Sequence, residues 1–145
     1  MRESHHRATG FTLIELMMVV TVIAIVIAIA LPGIGNARMA ANEASAISSM
    51  RALFTSNIQY RTRFGAYAAA MNDLFTQGYI DPSIADPDKA GYTFTYTSGA
   101  TDFSFNGDPR DPGISGERYF FVDSSGVIRF NEAAQATRFD SAIAP

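Results

Sequence analysis

The 145-residue sequence contains no cysteine and no tryptophan. The first absence excludes disulfides, thiolate metal sites and a cysteine nucleophile. Histidine is almost missing too, since the 2 present, His5 and His6, sit side by side near the start. Lysine is confined to Lys89. The body of the chain therefore lacks the commonest general bases, nucleophiles and transition-metal ligands. Neither an enzyme nor a cofactor is expected. A strong excess of one charge is also lacking. The net charge of -3 on a chain with 17% charged residues offers no broad basic surface for nucleic acid. What remains is a globular composition, 48% hydrophobic, with its apolar residues crowded toward the N-terminus.

From Leu16 to Ile34 the chain reads LMMVVTVIAIVIAIALPGI, about 19 residues without formal charge and close to the ~20 that span a bilayer as a helix. Thr21 is the clearly polar member, and its hydroxyl can bond a carbonyl one turn back. Upstream, MRESHHRATG sets Arg2 and Arg7 against Glu3, which places the N-terminus on the cytoplasmic side and the bulk of the chain across the membrane. Glu15 stands at the mouth of the apolar run. A carboxylate inside a membrane span costs about 2.5–3.5 kcal/mol even on the lenient scale, so it marks function unless it lies at headgroup level. Pro32-Gly33-Ile34-Gly35 holds the strongest helix breakers and predicts a kink or melted turn, or a plain linker.

Gly10-Phe11-Thr12-Leu13-Ile14-Glu15-Leu16 resembles the processing signal of type IV prepilins and type II secretion pseudopilins. In that family a polar, positive leader ends in glycine. A membrane aspartic peptidase cuts after it, and the new N-terminal residue is N-methylated. The resemblance places the cut between Gly10 and Phe11, the methyl group on Phe11, and Glu15 at the fifth mature position. Pro32 also falls where many members carry proline. The match covers about 25 residues, Gly10 to Pro32 with the leader's polarity. It implies that Glu15 neutralises the Phe11 amine of a neighbouring subunit during assembly. In a low-dielectric interior an unpaired charge is penalised, so the pair would act as a register device. Ala24, Ala28 and Ala30 would allow close helix approach.

Beyond the run, Ala37, Ala41, Ala44, Ile47, Met50, Phe54 and Ile58 recur at spacings of three and four, an amphipathic stripe reaching about Phe64. Arg38, Asn42, Glu43, Arg51 and Arg61 lie off it. The resemblance implies one continuous bent helix of about 50 residues. It also likens Phe64-Gly65-Ala66-Tyr67 through Leu74 to Gly78-Tyr79-Ile80 to a helix-to-sheet connection. A short helix is expected at Met71–Gln77 with Asn72 as cap. Tyr92, Phe94 and Tyr96 alternate with threonines, as Phe103 and Phe105 alternate with Ser104 and Asn106, around a Ser98–Thr101 turn. Arg118–Asp123 and Val127–Phe130 form a second hairpin. The run Gly107-Asp108-Pro109-Arg110-Asp111-Pro112-Gly113 reads as a loop, and the tail from Asn131 as a fraying helix. The fold class is α+β: a long bent N-terminal helix, transmembrane then amphipathic, packed on a small antiparallel β-sheet of about four strands, the pilin fold. Residues 1–10 are the leader, 11–35 the transmembrane or filament-core half, and 36–145 the amphipathic half and globular head. Without its leader the chain would have 135 of its 145 residues and a charge of -4 instead of -3, since Arg2, Arg7 and Glu3 leave together.

Asp86/Asp88 and Asp108/Asp111 are acid pairs beside prolines, best explained as Asx turns. Asp102, Asp108, Asp111 and Asp123 are the candidates for a calcium site, a feature of some major pseudopilins, though their spacing fits no defined motif. Members often close the C-terminal region with a disulfide; this chain must use packing or an ion. Arg51, Arg61, Arg63 and Arg110 read as a solvated face and loop, so DNA binding is not expected. The aromatic residues read as core and inter-subunit packing. The expected function is a structural subunit of a type IV pilus or similar filament. Its expected partners are identical subunits, the inner membrane, the prepilin peptidase and methyltransferase, an assembly platform with its ATPase, and minor pilins. The alternatives are a pseudopilin driving type II secretion, its filament periplasmic, and a membrane-anchored periplasmic binding domain or enzyme.

Overall fold

The computed structural model describes residues 10–143, with the side chains of residues 31 and 32 outside the described set. Two compact units divide between Asn36 and Ala37. Helix α1 (Leu13–Phe64, 52 residues) contributes to both. Its assignment runs unbroken through Pro32, Gly33, Ile34 and Gly35, so neither a melted turn nor a linker interrupts it. Proline removes one backbone bond and each glycine weakens a helix by about 1 kcal/mol, but helix formers on both sides carry the assignment through.

In the second unit α1 is followed by α2 (Met71–Thr76), α3 (Pro82–Ala85) and strands β1 (Asp88–Lys89), β2 (Tyr92–Ser98), β3 (Phe103–Pro109), β4 (Tyr119–Asp123), β5 (Ile128–Asn131) and β6 (Ser141–Ala142). Spatial order follows chain order and every neighbouring pair is antiparallel, so the sheet is a meander. The class is α+β, with the head part of α1 packed on the sheet through one shared core. The sheet has six strands rather than four, because β1 and β6 are two-residue edge strands, too short to show alternation.

Three local expectations are corrected. Gly107, Asp108 and Pro109 belong to β3 and pair with Phe94, Thr93 and Tyr92. A Cβ at 107 would lie 3.2 Å from the Phe94 ring and 3.4 Å from Met50 sulfur, so a larger residue there requires those side chains to give way. Pro109 faces Tyr92, one step from the Arg110 N–H that bonds Gly91 (2.9 Å), a position where the ladder asks no N–H of it. Asn72 does not cap α2; Ala70 occupies that place, and its N–H donates to the Asp73 carboxylate (2.9 Å). The tail is not helical among the described residues. It crosses the outer face of the sheet, with Asn106 Nδ2 donating to Ala136 O (3.0 Å) and Gln135 Nε2 to Asp108 Oδ2 (2.7 Å), and returns as β6. Buried Ala136 and this hydrogen bonding hold the tail.

The face of α1 that meets the sheet is also rotated from the apolar stripe. Glu43, Ala46, Met50, Leu53 and Asn57 are buried, whereas Ala37, Ala41 and Ala44 are exposed and Ile47, Phe54 and Ile58 half-buried. Glu43 and Asn57 can sit on the buried face because each is paired. Glu43 accepts from the N–H groups of Glu117 (2.9 Å) and Arg118 (3.2 Å) and from Arg118 Nε (2.8 Å). Burial pushes its carboxyl up, but these bonds and the guanidinium outweigh it and hold the group below the ordinary carboxylate range. Asn57 donates to Tyr96 Oη (3.0 Å) and accepts from Ala68 N–H (3.1 Å). The aromatic residues meet around Phe103, with ring centroids of Tyr67, Phe105 and Phe54 at 4.7, 5.6 and 6.1 Å.

Candidate functional site

The functional residues singled out by sequence lie at the start of α1. Thr12 precedes the first helical residue, and Glu15 is the acid of the first turn. The two form a reciprocal cap. Glu15 N–H donates to Thr12 Oγ1 (3.3 Å), while Thr12 N–H and its hydroxyl reach Glu15 Oε2 (3.4 Å each). A threonine followed three residues later by glutamate satisfies two orphan N–H groups at a helix start, and the carboxylate also faces the positive end of the helix dipole. Sequence reasoning missed Thr12, although Thr12-Leu13-Ile14-Glu15 is the sequence form of that cap.

Phe11 is 81% exposed, and so are Glu15 and the residues around them. Gly10 has open space where a Cβ would project. Nothing in the chain's own packing demands glycine there. The same holds for Gly33 and Gly35, each with no neighbour within 4 Å of a built Cβ. The most apolar 18-residue window of α1 has a mean hydropathy of 2.9 and is 0% buried, so by length and composition it can cross a membrane. Thr21 Oγ1 donates to Met17 O (2.8 Å), which satisfies its hydroxyl inside the helix. The leader's His5, His6, Arg2, Arg7 and Glu3, like the Pro32 side chain, lie outside the described residues.

The four aspartates proposed for calcium are not brought together: among the described residues no three His, Cys, Asp or Glu side chains form a group able to hold a metal. Asp102 faces Arg138 at 3.6 Å. Asp123 accepts from Ser125 N–H (2.9 Å), a local turn contact. Asp111 uses its backbone carbonyl to accept from Ser115 N–H (2.8 Å). Asp108 is a strand residue, so the Asx-turn explanation fails for it. Its Oδ1 is buried without a partner, and burial pushes its carboxyl up, only partly offset by Gln135. Asp86 does make the expected turn, accepting from Asp88 N–H (2.9 Å), and Asp88 then pairs with Arg110 (2.7 Å).

No curated protein matches the chain significantly. The family model of the prokaryotic N-terminal methylation motif matches residues 5–31, a stretch that contains Gly10, Phe11, Glu15 and most of the apolar run. Glycine unexplained by packing, a capped helix start and an apolar helix exposed along its length fall within that match. The chain carries the prepilin-type signal found in type IV pilins and pseudopilins.

Proposed function

We propose that the chain is the precursor of a structural subunit of a type IV pilus or pilus-like filament, acting by assembly rather than catalysis. The prepilin peptidase cuts between Gly10 and Phe11, and the Phe11 amine is methylated. Before assembly the subunit is anchored in the inner membrane by the apolar half of α1. A platform and ATPase then draw it, with minor pilins, into an extracellular filament whose core is that same helix. Opposite charges in a dry helical core attract strongly. Glu15 therefore leaves its cap at Thr12 to meet the Phe11 amine of a neighbour, and a subunit out of register leaves a buried charge alone.

The observation that carries this reading is Glu15 itself. It lies within the matched signal, at the edge of an apolar helix whose most apolar window is unburied, where among the described residues its side chain meets the Thr12 cap. Co-expression of Glu15→Ala with the unaltered chain is the test. The variant should be processed normally yet enter filaments at least tenfold less often. Equal incorporation would refute the charge pairing.

A further inference from the structure

The loop that joins β3 to β4 is tied both to itself and to α1. Asp111 O accepts from Ile114 N–H (3.0 Å) and Ser115 N–H (2.8 Å), and Gly113 N–H donates to Gly116 O (2.9 Å). Ser115 Oγ accepts from Asp111 N–H (3.0 Å). Gly113 holds φ at +82°, a value that favours glycine. The end of the loop is fixed to the helix, where Asn42 Nδ2 donates to Ser115 O (2.8 Å) and Glu43 accepts from Glu117 N–H (2.9 Å). Ser115 and Gly116 are buried, yet Ile114 beside them is 74% exposed. A single exposed apolar residue is ordinary on a protein surface. What distinguishes Ile114 is the place to which its loop is fixed.

The second unit begins at Ala37, so Asn42 and Glu43 belong to the first turns of its helix. Asn42 follows Ile34, the end of the uncharged apolar run, by eight residues of α1, a rise of about 12 Å. The headgroup layer extends about 5–8 Å past the hydrocarbon on each side of a bilayer. One further residue step of about 3.8 Å and the isoleucine side chain cover the difference. Other exposed apolar residues are fixed elsewhere. A Cβ on Gly126, beside Val127 in the β4–β5 turn, would lie 2.8 Å from the Phe54 ring. Phe54 follows Glu43 by eleven residues, about 17 Å farther along α1. The charges near Ile114 are of both signs. Arg38, Asp111 and Glu117 are exposed, and Arg110 is paired with Asp88 (2.7 Å). Such a set suits a zwitterionic headgroup layer and not hydrocarbon, which sets the contact at shallow depth.

We propose that the β3–β4 loop docks the head on the phospholipid surface of the membrane that α1 enters, with Ile114 inserted at headgroup level while the subunit awaits assembly. The inference rests on the membrane-anchored stage of the filament reading. Continuity with the apolar helix selects lipid as the occupant, because the loop is braced on the same helix a short way past the run. That tether keeps the bilayer at high effective concentration, so one side chain leaving water is enough to orient the head.

The absence of native tryptophan allows a direct test with the full-length chain. Ile114→Trp, Val127→Trp and Ile25→Trp, the last in the middle of the apolar run, each introduce a single indole. Each variant is reconstituted in phosphatidylcholine vesicles whose acyl chains carry bromine near the carbonyl end or near the methyl end. Ile25→Trp should be quenched most by the methyl-end bromine, which reports the span. Ile114→Trp should be quenched at least twofold more than Val127→Trp, and most by the carbonyl-end bromine. Indole itself favours the interface, and Val127→Trp carries that same bias. Quenching of Ile25→Trp without quenching of Ile114→Trp overturns the docking and leaves the anchored reading standing. No quenching of Ile25→Trp overturns both. Equal quenching at 114 and 127 overturns the docking, since the head then has no preferred face. Shielding of Ile114→Trp from aqueous iodide that grows with the protein-to-lipid ratio, without bromine quenching, gives the loop to a second copy and overturns the proposal.

Discussion

At the scale of single residues, two carboxylates of the head, buried Glu43 and half-buried Asp108, behave in opposite ways. Glu43 is surrounded by donors and held below the ordinary range, so its contribution to stability is present above the unfolded value and is lost as pH falls through its lowered folded one. Removing it leaves Arg118, two-thirds buried, without its partner at 2.7 Å. Glu43→Ala should cost about 2–4 kcal/mol in urea unfolding of the head. A cost under about 0.5 kcal/mol, the level of an ordinary surface change, would show that the pair is idle. Asp108 has its folded value raised, so the folded state binds the proton more readily and this group's contribution to stability grows as pH falls through that range. Asp108→Asn keeps an acceptor for Gln135 and removes the buried charge. It should raise the melting temperature at neutral pH and flatten the gain seen on mild acidification. An unchanged pH profile would mean that Oδ1 is solvated.

At the scale of elements, close backbone approach limits substitution where chain chemistry alone shows little reason. Gly116 lies against the ring of Tyr92, which is fully buried and fixed by its hydroxyl donating to Arg118 O (2.8 Å). Gly116→Ala should therefore destabilise the head by about 1–3 kcal/mol, measured as a shift of the unfolding midpoint; no shift would show that Tyr92 moves aside. The central strands were legible because Tyr92–Tyr96 and Phe103–Phe105 alternate strictly. The C-terminal half of β3 was not, since Gly107 and Pro109 are breakers in any local reading and are licensed only by the neighbours they meet. The packed face of α1 was legible in period but not in phase. Counting apolar residues put Glu43 outside, whereas pairing with Arg118 lets it face inward, as pairing with Ala68 and Tyr96 does for Asn57. A cap at Thr12 was open to sequence reasoning, because the threonine–glutamate spacing is local, whereas the tail's path across the sheet depends on Asn106 and Asp108, far away in sequence.

At the scale of the whole molecule, the chain divides its work. The second unit buries its own core, whereas the apolar window of α1 buries nothing within the chain. In water such a surface would drive association, so a membrane or other copies must cover it. The signal at residues 5–31 was readable because it is a local sequence pattern, and Gly10, Phe11 and Glu15 lie inside it. The four aspartates weighed for calcium do not converge among the described residues, because shared residue type and nearness in sequence do not bring side chains on different strands and loops together. Gly10→Ser should block cleavage and leave a membrane-bound precursor, and a mature mass in that variant would refute the assigned cut. The central claim is tested most directly by mass spectrometry of the protein isolated from its own cells. The account predicts an N-terminus at Phe11 carrying one extra methyl group. An intact leader, or a cut elsewhere, would contradict it.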